Sequence, residues 1–492
     1  MRISRRGALR AAAGALAAAS APMTPFALAR VLGQGSDAAG QSNVMAALSA
    51  YMAAAAAQTL PPDVIEHVKQ HIVDTFAAMV SGSELVPGRA ALRFARAQGG
   101  KGSATVVGST LLAGPVEAAL ANGVLAHSDE TDDSHSASQS HPGAPIVAAA
   151  LAAGEEFAVD GMRFLRSVVL GYDVGPRVTM AMGGTDFRSE THLSTHAISG
   201  VFGASAAAAC AAGLNAAQMR WVLDYASQQS SGYAVWGRDT DHIEKGFVFG
   251  GMPARSGVTT ALLVQLGWNG VDDVFSGADN FFLAYAPKAQ PRMVVDALGS
   301  RFEVTRTDIK KWTVGTPIQA PLDAVENIRA KRAFEADHVK SVIVRMAPSV
   351  ASVVDNRDIP DICLQHMMAV MLIDKTASFT AAHDKARMAD ASVLRQRAKV
   401  QLIKDEQLTP LLPVRVADVE ITFTDGATLK ERVTAVRGTP RNPMTRKEVV
   451  DKARDLIDPV LGTGATARLV DAVFAIEKQR DLRGLRPLLQ RR

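Results

Sequence analysis

Hydrophobic positions along this 492-residue chain fall into two regimes. From about residue 44 to 300 they come in Ala-rich runs broken by Gly, Asn, Asp and Pro, the pattern of closely packed helices. The punctuation predicts helices over 44–57, 61–82, 115–126, 143–157, 162–182, 200–212, 216–229 and 253–267. Pro61 and Pro62 suit a first helical turn. After about Ser300 the period changes. Residues 340–346, KSVIVRM, alternate and are β-branched, and 414–424 with 427–437 form an alternating pair around Asp425-Gly426. A DG between alternating runs is a strong hairpin signal. Helical patterns over 360–374 and 391–403 lie between, and others return at 445–457 and 464–479. The chain therefore reads as mostly α: a large helical domain over 43–304, an inserted smaller α+β domain over 305–437, the rest of the helical domain over 438–480, and a basic tail over 481–492.

Composition agrees and excludes some functions. Hydrophobic residues make up 48% and charged residues 21%, enough for a sizeable core, and aromatics only 5%. The formal charge is +4, and basic residues are spread out apart from the two ends. No basic patch is interleaved with aromatics, which argues against nucleic acid as a partner. Ser4-Arg5-Arg6-Gly7 followed by an Ala-rich run and Ala27-Leu28-Ala29 reads as a twin-arginine export signal over 1–29 with a small-residue cleavage site. The expected location is the periplasm, with the cytoplasm as the alternative if that segment is a basic helix that stays attached. No segment reaches eighteen uninterrupted apolar residues, so no membrane span is expected after signal removal. The two cysteines, Cys210 and Cys363, are too few and too distant for a disulfide framework and read as buried thiols.

The chemistry concentrates between two of the Ala-rich helices. His127, Asp129, Glu130, Asp132, Asp133, His135 and His141 fall within fifteen positions, AHSDETDDSHSASQSHP. Charges survive in such apolar surroundings only if they are paired or face a cavity. Three more polar islands stand at the mouths of apolar or Gly-rich segments: His192-Leu193-Ser194-Thr195-His196, the run from Arg238 to Lys245, and Asp308 to Trp312. Together they point to one cavity lined by His, Asp, Lys and Arg. His67 and His71 share a helix face but lack the neighbours of a metal pair, and read as surface or satisfied histidines. A metal-dependent hydrolase could draw on His127, Asp129, Asp132, Asp133, His135 and His141, although their spacing matches no zinc signature. A non-catalytic solute-binding protein would also suit export, but it has no use for a base-like His beside paired Asp.

These segments resemble the MmgE/PrpD family, which includes 2-methylcitrate dehydratase and cis-aconitate decarboxylase. The resemblance covers roughly 44–478 and rests on HSDETDDSHSASQSHPG, HAISGVFGASAAAA, EKGFVFGGMPARSG, DIKKWTVGTPIQAPLDA and NPMTRKEVV, in the family's order. It implies a helical domain with the α+β domain as a lid, a homodimer, and chemistry without cofactor or metal on a small polycarboxylate. Carried over position by position, it implies His141 as the catalytic histidine, Asp132 and Asp133 as the acidic pair, Ser134 beside them, Glu130 as the next acidic position, and Lys245 and Lys310 as the two lysines. The second histidine falls nearest Ser194, so His192 or His196 must shift to serve. Gly315 stands where cis-aconitate decarboxylase has a histidine and Gln319 where many members have one, which counts against decarboxylation.

The residues support the same chemistry directly. Eliminating water from a β-hydroxy acid needs a base α to a carboxylate and an acid at the leaving hydroxyl. His141 suits the base, Asp132 or Asp133 can hold its tautomer, and Lys245, Arg255 and Lys310 can bind carboxylates and offset enolate-like charge. The expected enzyme is a 2-methylcitrate dehydratase-like hydro-lyase; epimerisation, hydration or decarboxylation of a related acid would use the same proton abstraction.

Overall fold

A computed structural model describes residues 44–491. The export-signal reading over residues 1–29 lies outside the described residues. Among the described residues the chain is mostly helical. Two hydrophobic cores divide it. One gathers side chains from Val44 to Ile309 and again from Met444 to Leu489, and the other those from Trp312 to Val433.

The first core is built from α1 (Val44–Ala55), α2 (Pro62–Gly82), α3 (Pro115–Ala126), α4 (Gly143–Glu156), α5 (Gly161–Met182), α6 (Gly184–Thr191), α7 (Thr195–Ala212), α8 (Ala216–Gln229) and α9 (Ile243–Gln265). Pro opens α2 and α3, where its missing N–H costs nothing, and a left-handed Gly213 closes α7. α7 starts five residues earlier than the Gly-rich pattern suggested, because the Ser194 hydroxyl accepts a cap from the Ala197 N–H. Small residues let these helices approach closely. At Gly250 on α9 a Cβ would stand 1.9 Å from the Gly123 carbonyl oxygen of α3, so only glycine fits that crossing. The same stretch, Phe247–Gly251, is wound as a π turn inside α9, a local widening often found where a helix serves a site.

The second core packs α10 (Thr316–Lys331), α11 (Leu364–Asp374), α12 (Phe379–His383) and α13 (Ala391–Arg397) with a four-stranded sheet. Its strands are β1 (Val339–Met346), β2 (Val400–Lys404), β3 (Ala417–Phe423) and β4 (Thr428–Val433), in the order β2-β1-β3-β4. β1 runs parallel to β2, with Val342 opposite Val400, and antiparallel to β3, with Val342 opposite Ile421. The DG hairpin joins β3 and β4, with Gly426 at φ 86°. The stretch 391–403, expected as one helix, is instead α13 followed by β2: the alternating VQLIK run takes the parallel edge of the sheet. α14 (Arg446–Leu461) and α15 (Thr463–Phe474) then return to the first core.

Candidate active site

The polar loop of 127–142 leaves the C-terminus of α3 and re-enters at α4, and its charges are buried and paired. Asp132, fully buried, stands between two imidazoles: Nδ1 of His127 at 2.9 Å and Nδ1 of His141 at 3.1 Å. With those nitrogens donating, His141 keeps Nε2 as an acceptor. Asp133 faces away into the helical core. It accepts from the Tyr172 hydroxyl at 2.5 Å and the Gly143 N–H at 2.9 Å, and His71 Nδ1 lies 2.9 Å from it. The choice between the two aspartates as partner of His141 is thus resolved: Asp132 touches His141, whereas Asp133 anchors the loop at the start of α4.

Two lysines reach the loop from distant elements. Lys245, in the first turn of α9, pairs with the Glu130 carboxylate. Lys310 donates to the Glu130 carbonyl at 2.7 Å and lies 3.7 Å from Asp132. From α14, Lys452 donates to the Thr131 carbonyl at 3.0 Å and pairs with buried Asp74 at 2.6 Å. From α12, His383 Nε2 meets Asp129 at 2.8 Å, a link from the second core to the loop.

This setting decides protonation. Burial pushes the Asp132 carboxyl up, but the two imidazoles, His127 foremost, outweigh it and hold it well below the usual carboxylate range. Burial likewise opposes ionisation of Glu130, and Lys245 and then Lys310 more than offset it. His141 moves the other way. Burial, helped by Lys310, lowers it to about 4 against the pull of Asp132, so it is a neutral base at ordinary pH. Burial also drives His196 well below its usual value.

His141 and His196 face a cavity of about 340 Å³, with Glu130, Ser134, Lys245, Trp236 and Phe249 on its wall. The Phe249 ring stacks 3.8 Å from His196 and 4.5 Å from His127, holding both in place. The Ser134 hydroxyl also lines the cavity and is buried without a hydrogen-bond partner among the described residues. Its backbone bridges to Asp308, two residues before Lys310.

Four expected site residues sit differently from their reading. His192 closes α6 in a left-handed turn, φ 60°, and is exposed, while the Ser194 cap turns His196 inward to 5.2 Å from His141. Of the two, only His196 joins the cluster. Arg255 lies ten residues beyond Lys245 on α9, about 15 Å along a helix, and is not among the residues lining the cavity. Gln319 turns back to donate to the Trp312 and Val314 carbonyls at 2.7 and 2.9 Å, so it braces the chain after Lys310. It lines the neighbouring cavity of about 310 Å³ instead. Asp133 is the fourth, held off His141 as described.

Arg188, Trp236, Phe249, Arg357 and Arg415 also stand on the cavity wall, although the sequence pattern did not single them out. Each stands alone on its own segment, and only Phe249, inside the GFVFGG run, carried any signal.

Among the described residues, two groups could offer ligands to a metal: His127 with Asp132 and His141, and His127 with Glu130 and His242. Both fit poorly. Lys245 and Lys310 already stand at the two carboxylates, and Nδ1 of His127 and of His141 is engaged by Asp132, which leaves Nε2 of His127 and of His242 buried without a hydrogen-bond partner among the described residues.

A neutral, carboxylate-oriented imidazole thus faces a cavity with cationic side chains on its wall. The chain belongs to the MmgE/PrpD family: the N-terminal domain of that family matches residues 46–294 and the C-terminal domain residues 312–477. It is 24% identical to a cis-aconitate decarboxylase-like protein of Aspergillus oryzae, over 92% of this chain and 98% of that protein. It is also 24% identical to cis-aconitate decarboxylase of Aspergillus terreus, over 93% and 98%, and 25% identical to that of Homo sapiens, over 87% and 90%. Family and relatives together support a lyase-type enzyme.

Proposed function

We propose that this protein is a lyase for a small polycarboxylate and that His141 removes a proton from the carbon α to a substrate carboxylate. The observation that carries this reading is His141 itself: neutral, oriented by Asp132, and open to a cavity with Lys245 on its wall. Lys245 and Lys310 would offset the enolate-like charge, and the unpartnered Ser134 hydroxyl or His196 is placed to serve the leaving group. A preorganised cation and donor set of this kind acts where charge develops.

For the reaction we favour elimination of water, as in a 2-methylcitrate dehydratase. Gly315 offers no imidazole, and Gln319, turned to backbone carbonyls, offers the cavity no side chain of its own. Decarboxylation is the second reading, favoured by the relatives' names. Purified protein should be incubated with citrate-like acids, aconitates and β-hydroxy dicarboxylates while C=C absorbance and carbon dioxide are both followed. Absorbance without carbon dioxide supports dehydration, release of carbon dioxide supports decarboxylation, and neither with any acid defeats the lyase proposal.

We further propose export to the periplasm, supported by Arg5-Arg6 and the small-residue site at Ala27–Ala29. Changing Arg5 and Arg6 to Lys should leave the precursor in the cytoplasm.

A further inference from the structure

Four cationic side chains line the cavity that His141 faces: Lys245, Arg188, Arg357 and Arg415. They are not equivalent. Lys245 is neutralised by Glu130, and Lys310, just outside, by its contacts with Glu130 and Asp132. Arg306 and Arg437, in the neighbouring cavity, are paired with Glu303 and Glu448. Arg188, Arg357 and Arg415 make no ion pair within 4 Å among the described residues, and each is half-buried. Arg188 has only the Trp236 ring, 5.2 Å from its guanidinium. Burial pulls both Arg188 and Arg415 below the ordinary arginine range; at Arg415 the Asp308 charge opposes the fall and Arg188 adds to it.

Three partly desolvated guanidiniums converging on one space repel one another, and no carboxylate among the described residues pairs with any of them within 4 Å. They also come from three places: Arg188 from α6 of the first core, Arg357 from the turn after the second-core helix Pro348–Val354, and Arg415 from the approach to β3. A guanidinium presents a planar fork that matches a carboxylate.

We propose that Arg188, Arg357 and Arg415 are the recognition cluster for the substrate carboxylates that stand away from the reacting carbon, and that they set a preference for acids carrying more than one such group. The inference rests on the polycarboxylate-lyase reading and adds specificity residues to it.

The test uses tricarballylate, a tricarboxylate with no hydroxyl to eliminate and no double bond, with glutarate and acetate as shorter probes, by calorimetry on the full protein. The wild type should bind tricarballylate at least tenfold more tightly than glutarate. Arg357→Gln and Arg415→Gln should each weaken tricarballylate by about ten- to a hundredfold, the size of a lost charge-assisted hydrogen bond, and narrow its advantage over glutarate. Arg415→Lys should fall between, keeping charge but losing the fork. His141→Gln should bind as the wild type does. Absence of turnover with every acid, alongside intact arginine-dependent binding, would remove the lyase reading and leave the cluster standing. Unchanged tricarballylate affinity in both Gln variants would overturn the cluster, as would a wild type that binds tricarballylate no better than acetate.

Discussion

On the helical side of the cavity, every charge but Arg188 has a partner among the described residues. Asp132 lies between His127 and His141, Glu130 meets Lys245, and Asp133 is held by Tyr172 and the Gly143 N–H. On the side of the second core, Arg357 and Arg415 have no carboxylate partner among the described residues. The first arrangement fixes protonation and orientation before any ligand arrives. The second leaves charge unspent, which suits recognition. Such a division separates effects on turnover from effects on affinity, because groups acting only in the transition state change the rate, while charges felt by bound substrate change both states.

The largest test of that division is His141→Gln. Turnover should fall by about 10²- to 10⁴-fold, the usual worth of a general base, with substrate affinity preserved. Near-normal turnover in this variant would transfer the base role to His196. The pH profile sharpens the same point. His141 is depressed from 6.5 to about 4, so the base stays neutral down to that pH, and kcat/KM should drop only as pH falls through about 4. An acid limb near 6.5 would mean an imidazole that water reaches freely.

Next in size is Gly250→Ala. The new methyl would fall 1.9 Å from the Gly123 carbonyl, on backbone that cannot swing aside. A loss of about 3 kcal/mol is expected, read in denaturant melts, together with weakened activity as Lys245 and Phe249 shift. Full stability would mean that α3 and α9 can separate without cost.

The smallest effect should come at the junction of the two walls. His383, raised from 6.5 to about 9, is disfavoured by burial but more than compensated by its hydrogen bond and charge contact with Asp129. A raised value means that the folded state holds the proton more tightly. The stabilisation is complete below pH 6.5 and is lost as pH rises through about 9. His383→Gln should cost about 1–2 kcal/mol at pH 6 and flatten that alkaline decline. An equally steep decline in the variant would assign the effect to another group.

Much of the helical scaffold was legible because its signals are local. Pro62 and Gly82 bound α2 where the punctuation put them, and the DG turn marked the β3–β4 hairpin. β2 was not legible, because VQLIK becomes a strand only through pairing with β1, 58 residues earlier by the Val342–Val400 register. In the site, His141, Asp132, Lys245 and Lys310 announced themselves as polar islands in apolar runs. The choice of His196 over His192 turned on a serine cap, which spacing could not weigh. The arginines carried no signal at all: one cation on each of three segments is ordinary until the fold brings them to one space.

The bond between Asp132 and His141 spans nine residues, while Lys310 reaches its carbonyl partner across 180 and Lys452 across 321. Closing a loop twentyfold longer costs about 2.7 kcal/mol more in chain entropy, and the Lys452 closure about 3 kcal/mol more. Contacts close in sequence therefore form early and distant ones late. The acid–base pair belongs to a segment able to arrange itself while most of the chain is still being made. The ammonium groups that complete its surroundings arrive only when the chain doubles back, so a folding intermediate trapped before α14 docks would carry the imidazole in place with the Thr131 carbonyl lacking its Lys452 partner.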